Sequence, residues 1–291
     1  MITAMVATTR VVWTGAVNKV IPFGLSTSEY DIIDIDGLGP LRADIITSEL
    51  SSDAGSNYLT ANQIERNIVI KLGFAPKSAL GQTITSLRRN LDAVFTPPNQ
   101  VELTFTDDIL GNFTIKGRVE SNEPVMFAKD PEVQISIICT DPYFYSPLAD
   151  TTFTIPPLTP FNEQFTINYT SDVPVGFVFD FDINGNMSTG QDYVLLNMHR
   201  TPNANGLDPF MRINGNFQHA DHFQISSQRG SRGATRRRGT ATSNAMPYFT
   251  GSLLRMQLLP GLNYLSLYPV LVSGAKARPA TIKYKNVRGA L

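Results

Sequence analysis

The sequence predicts a mostly-β protein, with an α+β first domain that has one main helix and an antiparallel β-sandwich as its second domain. Short segments of alternating polar and apolar residues recur along the chain, and this is the period of strands with one face in a core. The 19 prolines and 21 glycines indicate many turns between short strands. Apolar residues recur convincingly at steps of three and four in one place only, so a single main helix is expected.

The length and composition limit the classes of protein that fit. At 291 residues the chain can form two domains that each bury a core. It has no run of about 18 apolar residues and no charged N-terminal region followed by an apolar run, so we expect neither a membrane span nor a secretory signal. The single cysteine, Cys139, has no partner for an internal disulfide, which fits a protein made in a reducing compartment.

The boundary between the domains is predicted within residues 133–147, VQISIICTDPYFYSP. Alternating apolar residues indicate a strand, and Asp141-Pro142 ends it because proline has no N–H for a sheet and restricts the residue before it. We therefore predict a first domain at 1–147 and a second at 150–280. The corner between them contains Pro142, Tyr143, Phe144 and Tyr145.

The first domain is predicted to consist of strands around one helix. Pro22 places the second strand at a sheet edge or bend, because proline cannot donate to a ladder. Ile33 and Ile35 are expected on the buried face of the third strand, and residues 51–57 form a polar loop. The predicted strands are 10–15, 19–23, 30–36, 43–50, 66–74, 101–105, 113–119 and 133–139. The helix lies between Pro76 and Pro97 and is expected to bury Leu80, Ile84, Leu87, Leu91, Val94 and Phe95.

The second domain is almost entirely strand by its pattern. Residues 175–183 alternate over nine positions, the clearest period of two in the chain, and Asn-Gly or Pro-Gly turns separate several strands. The spacing of strands and turns favours an antiparallel sandwich. The predicted strands are 165–169, 175–183, 193–198, 210–213, 223–226, 253–259, 263–268 and 281–285.

No catalytic motif is present. The sequence has no phosphate-binding glycine loop, no GxSxG elbow and no HExxH pair. His219 and His222 are favoured as ordinary surface histidines over metal ligands, because their spacing fits no strong ligand pattern. The segment that begins at Asp180 resembles the start of a calcium loop, but Gln191 stands where that loop needs a bidentate glutamate. We expect no enzyme activity, no metal and no cofactor.

Charge is distributed unevenly. Residues 1–150 carry 11 Lys and Arg against 18 Asp and Glu, a net charge of −7, whereas residues 151–291 carry 13 against 7, a net charge of +6. Either the split is chance and these are solvated faces, or the two halves face different neighbours, or an acidic surface avoids retaining nucleic acid. Residues 229–239 form a candidate partner-contact loop with three alternative interpretations. It is a solvated hairpin tip, or it binds an acidic protein or glycan, or it binds nucleic acid. Its cations are Arg229, Arg232, Arg236, Arg237 and Arg238.

Several stretches, taken in order, carry a resemblance to a known family. The strand and Asp-Pro-aromatic corner at 138–146, ICTDPYFYS, is preceded by the segments at 66–74, 87–91, 101–108 and 113–119 and followed by those at 223–230, 236–244 and 253–267. Together they resemble the distal tail protein of siphoviruses, the long-tailed bacteriophages (the phage tail component family). The resemblance covers nearly the whole chain and consists of strand and turn patterns. The arginine-rich loop matches no feature of the family.

The resemblance implies a structural role. The family has a ring-forming first domain, which a C-terminal strand at 281–291 can complete, and a galectin-like sandwich as the second. Six copies form a hub at the tail tip of the virion, assembled in the host bacterial cytoplasm. The tail tube protein, the tape measure protein and the tip or baseplate proteins are the implied neighbours, and DNA passes through without specific binding. In such a hub the aromatic corner fixes the angle between the domains. The alternative is a module that binds host-surface carbohydrate and is carried on a tail anchor.

Overall fold

The computed structural model describes residues 2–10, 17–24, 28–49, 56–77, 81–109, 111–124, 131–155, 164–186, 192–199, 201, 209–270 and 276–291. The chain divides into two compact units: unit 1 comprises residues 1–147 and 288–291, and unit 2 comprises residues 148–287. About 61% of the structure is strand and 6% is helix, so the predicted mostly-β fold is confirmed. None of the described helices is long and apolar enough to cross a membrane.

Unit 1 is organised around a twisted antiparallel sheet whose main path has the order β2-β1-β7-β8-β9-β6-β3, while β4 and β5 form a separate ribbon and β10 pairs with β8. The buried faces of β6, β7, β8 and β9 form the core, because their apolar residues alternate with exposed polar ones. The strands are β1 (Ile2–Arg10), β2 (Val17–Phe23), β3 (Tyr30–Asp36), β4 (Ala43–Glu49), β5 (Ser56–Gln63), β6 (Arg66–Phe74), β7 (Gln100–Asp107), β8 (Gly111–Pro124), β9 (Glu132–Cys139) and β10 (Phe144–Tyr145).

The helix α1 (Ile84–Val94) packs on this core through Leu87, Leu91 and Val94. It begins where Thr83 and Ser86 form a capping box, each side chain bonded to the backbone N–H of the other. Phe95 ends the helix and is buried as predicted. The prediction that Ile84 is buried is wrong, since it is 42% exposed, and Leu80 lies outside the described residues.

The strand β3 differs from its predicted alternation. Its register against β6 shifts between Ile32 and Asp34, so Ile33 lies at a bulge and is 51% exposed. Tyr30 is buried and Ile32 and Ile35 are partly buried, so a bulge that sequence periodicity cannot reveal corrects the expectation for Ile33. The predicted edge position of the strand that holds Pro22 is confirmed, since β2 ends the main path of the sheet.

Unit 2 contains two larger antiparallel sheets and a small pair formed by β13 and β21. The six-stranded sheet has the order β11-β23-β14-β17-β18-β19, and the five-stranded sheet has the order β12-β22-β15-β16-β20. The strands are β11 (Thr151–Thr154), β12 (Gln164–Tyr169), β13 (Val175–Gly176), β14 (Val178–Asn184), β15 (Tyr193–His199), β16 (Phe210–Asn214), β17 (His222–Ser226), β18 (Gly233–Arg238), β19 (Ala241–Asn244), β20 (Phe249–Gly251), β21 (Gln257–Leu258), β22 (Gly261–Val270) and β23 (Lys276–Tyr284).

The two larger sheets meet through aromatic side chains. The ring of Phe153 on β11 stacks on Phe165 on β12 with centroids 5.5 Å apart, and Tyr169 on β12 meets Tyr284 on β23 edge-to-face at 5.7 Å. The inner face of β14 carries Phe179 and Phe181, both fully buried. Unit 2 is therefore a sandwich with an apolar interior. The predicted strand at 253–259 is present only as the two residues of β21.

The C-terminus corrects one expectation. Residues 281–284, predicted to complete the first domain, belong to β23, which pairs with β11 and β14 inside unit 2. Only the last four residues lie in unit 1, where Leu291 N–H donates to the Leu38 carbonyl at 3.0 Å. The short strand β24 (Val287–Arg288) overlaps the first residue of this final segment.

Candidate assembly interface

The ribbon formed by β4 and β5 is called the arm. Its strands pair antiparallel from Ala43 opposite Gln63 to Glu49 opposite Ser56, and every residue of β5 is exposed. The sequence predicted a strand at 43–50 but not β5, and it placed residues 56 and 57 in a loop. A ribbon of two strands is marginally stable alone in water, so a surface that covers the arm would stabilise it.

The arm exposes large apolar side chains. Ile45 is 62% exposed, Tyr58 is 65% exposed and Leu59 is 60% exposed. Clustered exposed apolar groups on one element mark interaction surfaces more often than single exposed leucines do. The arm is therefore the strongest candidate for a protein interface among the described residues.

The open edges of the unit 1 sheet are less suited to pairing. The edge strand β2 contains Pro22, which has no N–H to donate. The other edge strand, β3, has its bulge at Ile33 and exposes Asp31, Asp34 and Asp36. Prolines, bulges and charges are the features with which natural sheets prevent edge-to-edge pairing, so these two edges are poorly suited to pairing with another chain.

The predicted corner residues lie in and beside the core of unit 1. Phe144 is fully buried and meets Phe105 edge-to-face, with ring centroids 5.9 Å apart. Tyr145 donates from its hydroxyl to Asp141 Oδ2 at 2.8 Å, and Tyr143 donates to Gln63 Oε1 at the root of the arm. Pro142 is buried.

A buried arginine that the sequence did not single out holds this corner. Arg66 donates from Nε to the Pro142 carbonyl at 2.8 Å and from Nη2 to the Gly289 carbonyl at 2.5 Å. Its Nη1 donates to the carbonyls of Gly37 and Gly39, and its guanidinium lies 4.7 Å from the centre of the Phe144 ring. Burial lowers the pKa of the Arg66 guanidinium.

Two neighbours of Arg66 explain local sequence choices. Gly37 has a φ of +88°, and a Cβ there would lie 2.1 Å from the Asn67 carbonyl oxygen, so only glycine fits. Cys139 is fully buried, and burial raises the pKa of its thiol to about 12. The thiol therefore stays protonated and unreactive, as a core residue does.

The arginine-rich segment is largely a strand, which corrects the prediction of a loop. Arg236, Arg237 and Arg238 lie on β18, which pairs with β17 and β19, and only Arg229 and Arg232 lie in the preceding turn. Strand alternation separates the three. Arg237 is exposed beside Thr242, whereas Arg236 and Arg238 project to the opposite side, where Arg236 lies about 6 Å from the rings of Phe217 and Tyr248.

Arg238 is engaged inside unit 2. It donates from Nε to Asp221 Oδ1 at 2.6 Å and from Nη2 to Oδ2 at 2.7 Å, and the Gln218 N–H donates to the same carboxylate. Burial alone would raise the pKa of Asp221, but these hydrogen bonds and the charges of Arg238 and Arg236 outweigh it. The pKa of Asp221 consequently lies below its usual range.

Replacing Asp221 with asparagine tests this pair. The variant should melt several degrees below the parent at pH 7, because it keeps the size of the side chain but loses the charge that Arg238 binds. A lowered carboxyl pKa contributes stability above about pH 4 that is lost as the pH falls through the folded pKa. Calorimetric melting between pH 7 and pH 3 should therefore show the difference shrinking in acid. A difference that is constant with pH would contradict the charged pair.

The histidines have protein partners. His222 lies between two carboxylates, with Nε2 3.2 Å from Asp180 Oδ1 and Nδ1 2.8 Å from Asp182 Oδ1. His219 Nδ1 accepts from the Gly185 N–H at 3.2 Å. The two aspartates lie on the outer face of β14, opposite its buried side chains, and Gln191 lies outside the described residues. Among the described residues no group of three His, Cys, Asp or Glu is arranged to hold a metal ion.

Comparison with known proteins shows the fold. No family model matches the chain, and neither does any curated protein. The crystal structure of the Dit protein (gp 19.1) of phage SPP1 matches with a TM-score of 0.64 and 15% identity, over 89% of this chain and 93% of that chain. A chain of the phage P2 baseplate in its activated conformation also matches, with a TM-score of 0.48 and 10% identity over 100% of both chains.

The SPP1 match spans both units and is described as a paradigm of the hub adsorption apparatus in phages that infect Gram-positive bacteria. The resemblance predicted from the strand and corner patterns is thus confirmed at the level of the fold. The chain has the two-unit, mostly-β fold of a siphovirus distal tail protein.

Proposed function

We propose that this protein is a structural component of a phage tail, a hub at the tail tip that joins the tail tube to the tip or baseplate proteins. The observation that carries this proposal is the fold shared with SPP1 Dit over 89% of the chain. The proposed neighbours are the tail tube, tape measure and tip or baseplate proteins. The proposed location is the virion, after assembly in the bacterial cytoplasm, and the proposed role is not enzymatic.

A closed homohexameric ring is the proposed form of the hub. The arm supports self-association, because it offers apolar side chains and paired strands that the described part of unit 1 leaves uncovered. Rotational symmetry would repeat one arm contact around the ring, so each copy gives and receives the same contact. Size-exclusion chromatography with light scattering tests this: six chains of 32.0 kDa give 192 kDa. A monomer at high concentration, with no ring in electron micrographs, would overturn the hexamer.

DNA passage is the proposed purpose of the ring. Unit 1 carries 12 Lys and Arg against 17 Asp and Glu, a net charge of −5, and Asp31, Asp34, Asp36 and Asp44 are exposed on β3 and β4. Acidic residues around a channel would repel phosphates, since nucleic-acid binding depends on cations. A solved hexamer with a neutral or basic lumen would overturn this assignment.

The arm gives the sharpest test of the ring. Replacing both Ile45 and Leu59 with serine should convert the 192 kDa species to the 32.0 kDa monomer. The variant monomer should keep the circular dichroism spectrum of the parent and unfold cooperatively, since exposed substitutions usually alter the stability of a chain by less than about 0.5 kcal/mol. The matched control is Ile109→Ser, an equally apolar residue that is 85% exposed on a turn of unit 1. Retention of the hexamer by the arm variant, or its loss in the control, would contradict an interface on the arm.

A further inference from the structure

We propose that the outer face of the six-stranded sheet of unit 2 binds a negatively charged glycan. The binding groove lies over β17, β18 and β19 and has a volume of about 510 Å³. Residues that line it include Gln224, Ser231, Arg232, Thr235, Asn244 and Met246. The proposal goes beyond the hub function and does not depend on ring formation.

The groove floor is a row of polar side chains in register. Gln224 pairs opposite Thr235, and Thr235 pairs opposite Asn244, so the three side chains project from the same face of adjacent strands. All three are exposed. Adjacent strands lie about 4.8 Å apart, so the row presents alternating amide and hydroxyl groups at regular steps.

These groups suit hydroxyl ligands. Amide and hydroxyl side chains can each donate and accept, as sugar hydroxyls do. The side chains of Gln224 and Thr235 have no hydrogen-bond partner among the residues the structure describes, and the same holds for Thr242 in the next row. A polyhydroxyl ligand can both donate hydrogen bonds to this row and accept them from it. A simple anion only accepts hydrogen bonds, so it would leave the amide and hydroxyl oxygens of the row without a donor.

The cations of the groove identify the ligand as anionic. Arg232 lines the groove, and Arg237 lies just outside the lining, on the same face as Thr235 and opposite His222. Neither arginine has a carboxylate partner within the described parts of the chain. On the same face Lys283 bonds Asp180 at 3.0 Å, and His222 lies between Asp180 and Asp182. From residue 222 to residue 291 the sequence has eleven Lys and Arg and no Asp or Glu. Arg232 donates from Nε to the Ser227 carbonyl at 3.4 Å, and guanidinium groups that have no carboxylate partner favour carboxylate, sulfate or phosphate ligands.

A nucleic acid is the less suitable occupant. Single-stranded nucleic acids bind to cations together with aromatic side chains on which bases stack, and the groove lining contains no aromatic residue. Met246 is its largest apolar group and offers a surface for the C–H face of a sugar ring. The observations therefore favour an acidic sugar chain over a polynucleotide.

Calorimetric titration of the full chain tests the proposal with a short oligomer of galacturonic acid. The same oligomer with its carboxylates methyl-esterified provides an uncharged control with the same sugar chain, and it should bind about tenfold more weakly. Arg232→Gln and Arg237→Gln should each weaken the acidic oligomer about tenfold, because each removes a charge-assisted hydrogen bond. Thr235→Val should weaken both oligomers. Arg255→Gln, an exposed arginine outside the groove, should change nothing.

The remaining outcomes overturn the proposal. Absence of heat with the acidic oligomer would remove the site, and equal binding by the parent and Arg232→Gln would place it elsewhere. Inorganic polyphosphate that competes as well as the sugar would show a charge site without sugar recognition. Tighter binding of single-stranded DNA than of the oligomer would assign the groove to nucleic acid. Because the substituted residues are exposed, unchanged melting curves of the variants should accompany every comparison.

Discussion

Replacing Arg66 with methionine should lower the free energy of unfolding by about 3–5 kcal/mol. Arg66 is 7% exposed and donates to four backbone carbonyls, those of Gly37, Gly39, Pro142 and Gly289. Methionine fills much of the same space but donates nothing, so these carbonyls would lose their partner in a site that water enters poorly. A buried acceptor left without a partner costs its full desolvation energy.

Lysine separates the geometry of the side chain from its charge. Arg66→Lys keeps the charge but replaces a planar fork of donors with a single ammonium group, which cannot reach carbonyls on all sides. Its stability should therefore fall between that of the parent and that of Arg66→Met. Arg118→Met is the matched control, because Arg118 is exposed on β8 and makes one long bond, to the Pro98 carbonyl at 3.4 Å.

Urea unfolding followed by circular dichroism measures these differences. The control should lie within about 0.5 kcal/mol of the parent. If the free energy of unfolding of Arg66→Met also lies within this range, water must hydrogen-bond the four carbonyls in the variant. Arg66 would then not be the residue that holds the corner to the C-terminal residues. A loss that is equal in Arg66→Lys and Arg66→Met would mean that the fork geometry, not the charge, provides the stability.

Sequence patterns predicted those elements that bury one face within their own unit. The strand predicted at 66–74 is present as β6, where Ile68 and Ile70 are buried and alternate with more exposed residues, because a core-facing strand must alternate. The predicted burial of Ile33 was wrong because a bulge shifts the register by one residue without changing the composition of the strand. The predicted burial of Ile84 was wrong because the first helical turn extends beyond the core that Leu87 contacts.

The arm was missed for a different reason. Residues 56–63, SNYLTANQ, have no alternation because every side chain of β5 is exposed, so no buried face imposes a period. A strand that has no buried face within its own chain lacks the alternation of polar and apolar residues by which strands are recognised in a sequence. Tyr58 and Leu59 in an otherwise polar stretch were the remaining sign, and they are compatible with a loop.

Sequence patterns also could not predict which groups the charged side chains contact. The acceptors of Arg66 lie between 27 and 223 positions away along the chain, so no local spacing relates them. The arginine run at 236–238 reads as one cationic cluster, yet strand alternation places Arg237 on the outer face of the sheet and Arg238 on the opposite side, where it binds Asp221. Such assignments require the pairing of β17 with β18, which only the fold supplies.

Replacing Phe144 with alanine is the second large expected effect, a loss of about 3–5 kcal/mol in the free energy of unfolding. Phe144 is fully buried, and its removal leaves a cavity against Phe105 and beneath the guanidinium of Arg66. Tyr145→Phe is the control at the next position. It removes only the hydroxyl that donates to Asp141 and should cost about 0.5–1.5 kcal/mol. An unchanged urea midpoint in Phe144→Ala would contradict a packing role for the corner.

A double-mutant cycle between Arg66 and Phe144 determines whether the corner acts as one unit. The guanidinium lies 4.7 Å from the ring centre, within the distance at which a cation and an aromatic ring attract each other. The loss in the double variant Arg66→Met, Phe144→Ala should therefore be smaller than the sum of the single losses, by about 0.5–2 kcal/mol. Additive losses would show that Arg66 and Phe144 stabilise the protein independently. A loss in the double variant that is smaller than the sum would mean that the aromatic corner and the C-terminal residues held by Arg66 form and break together.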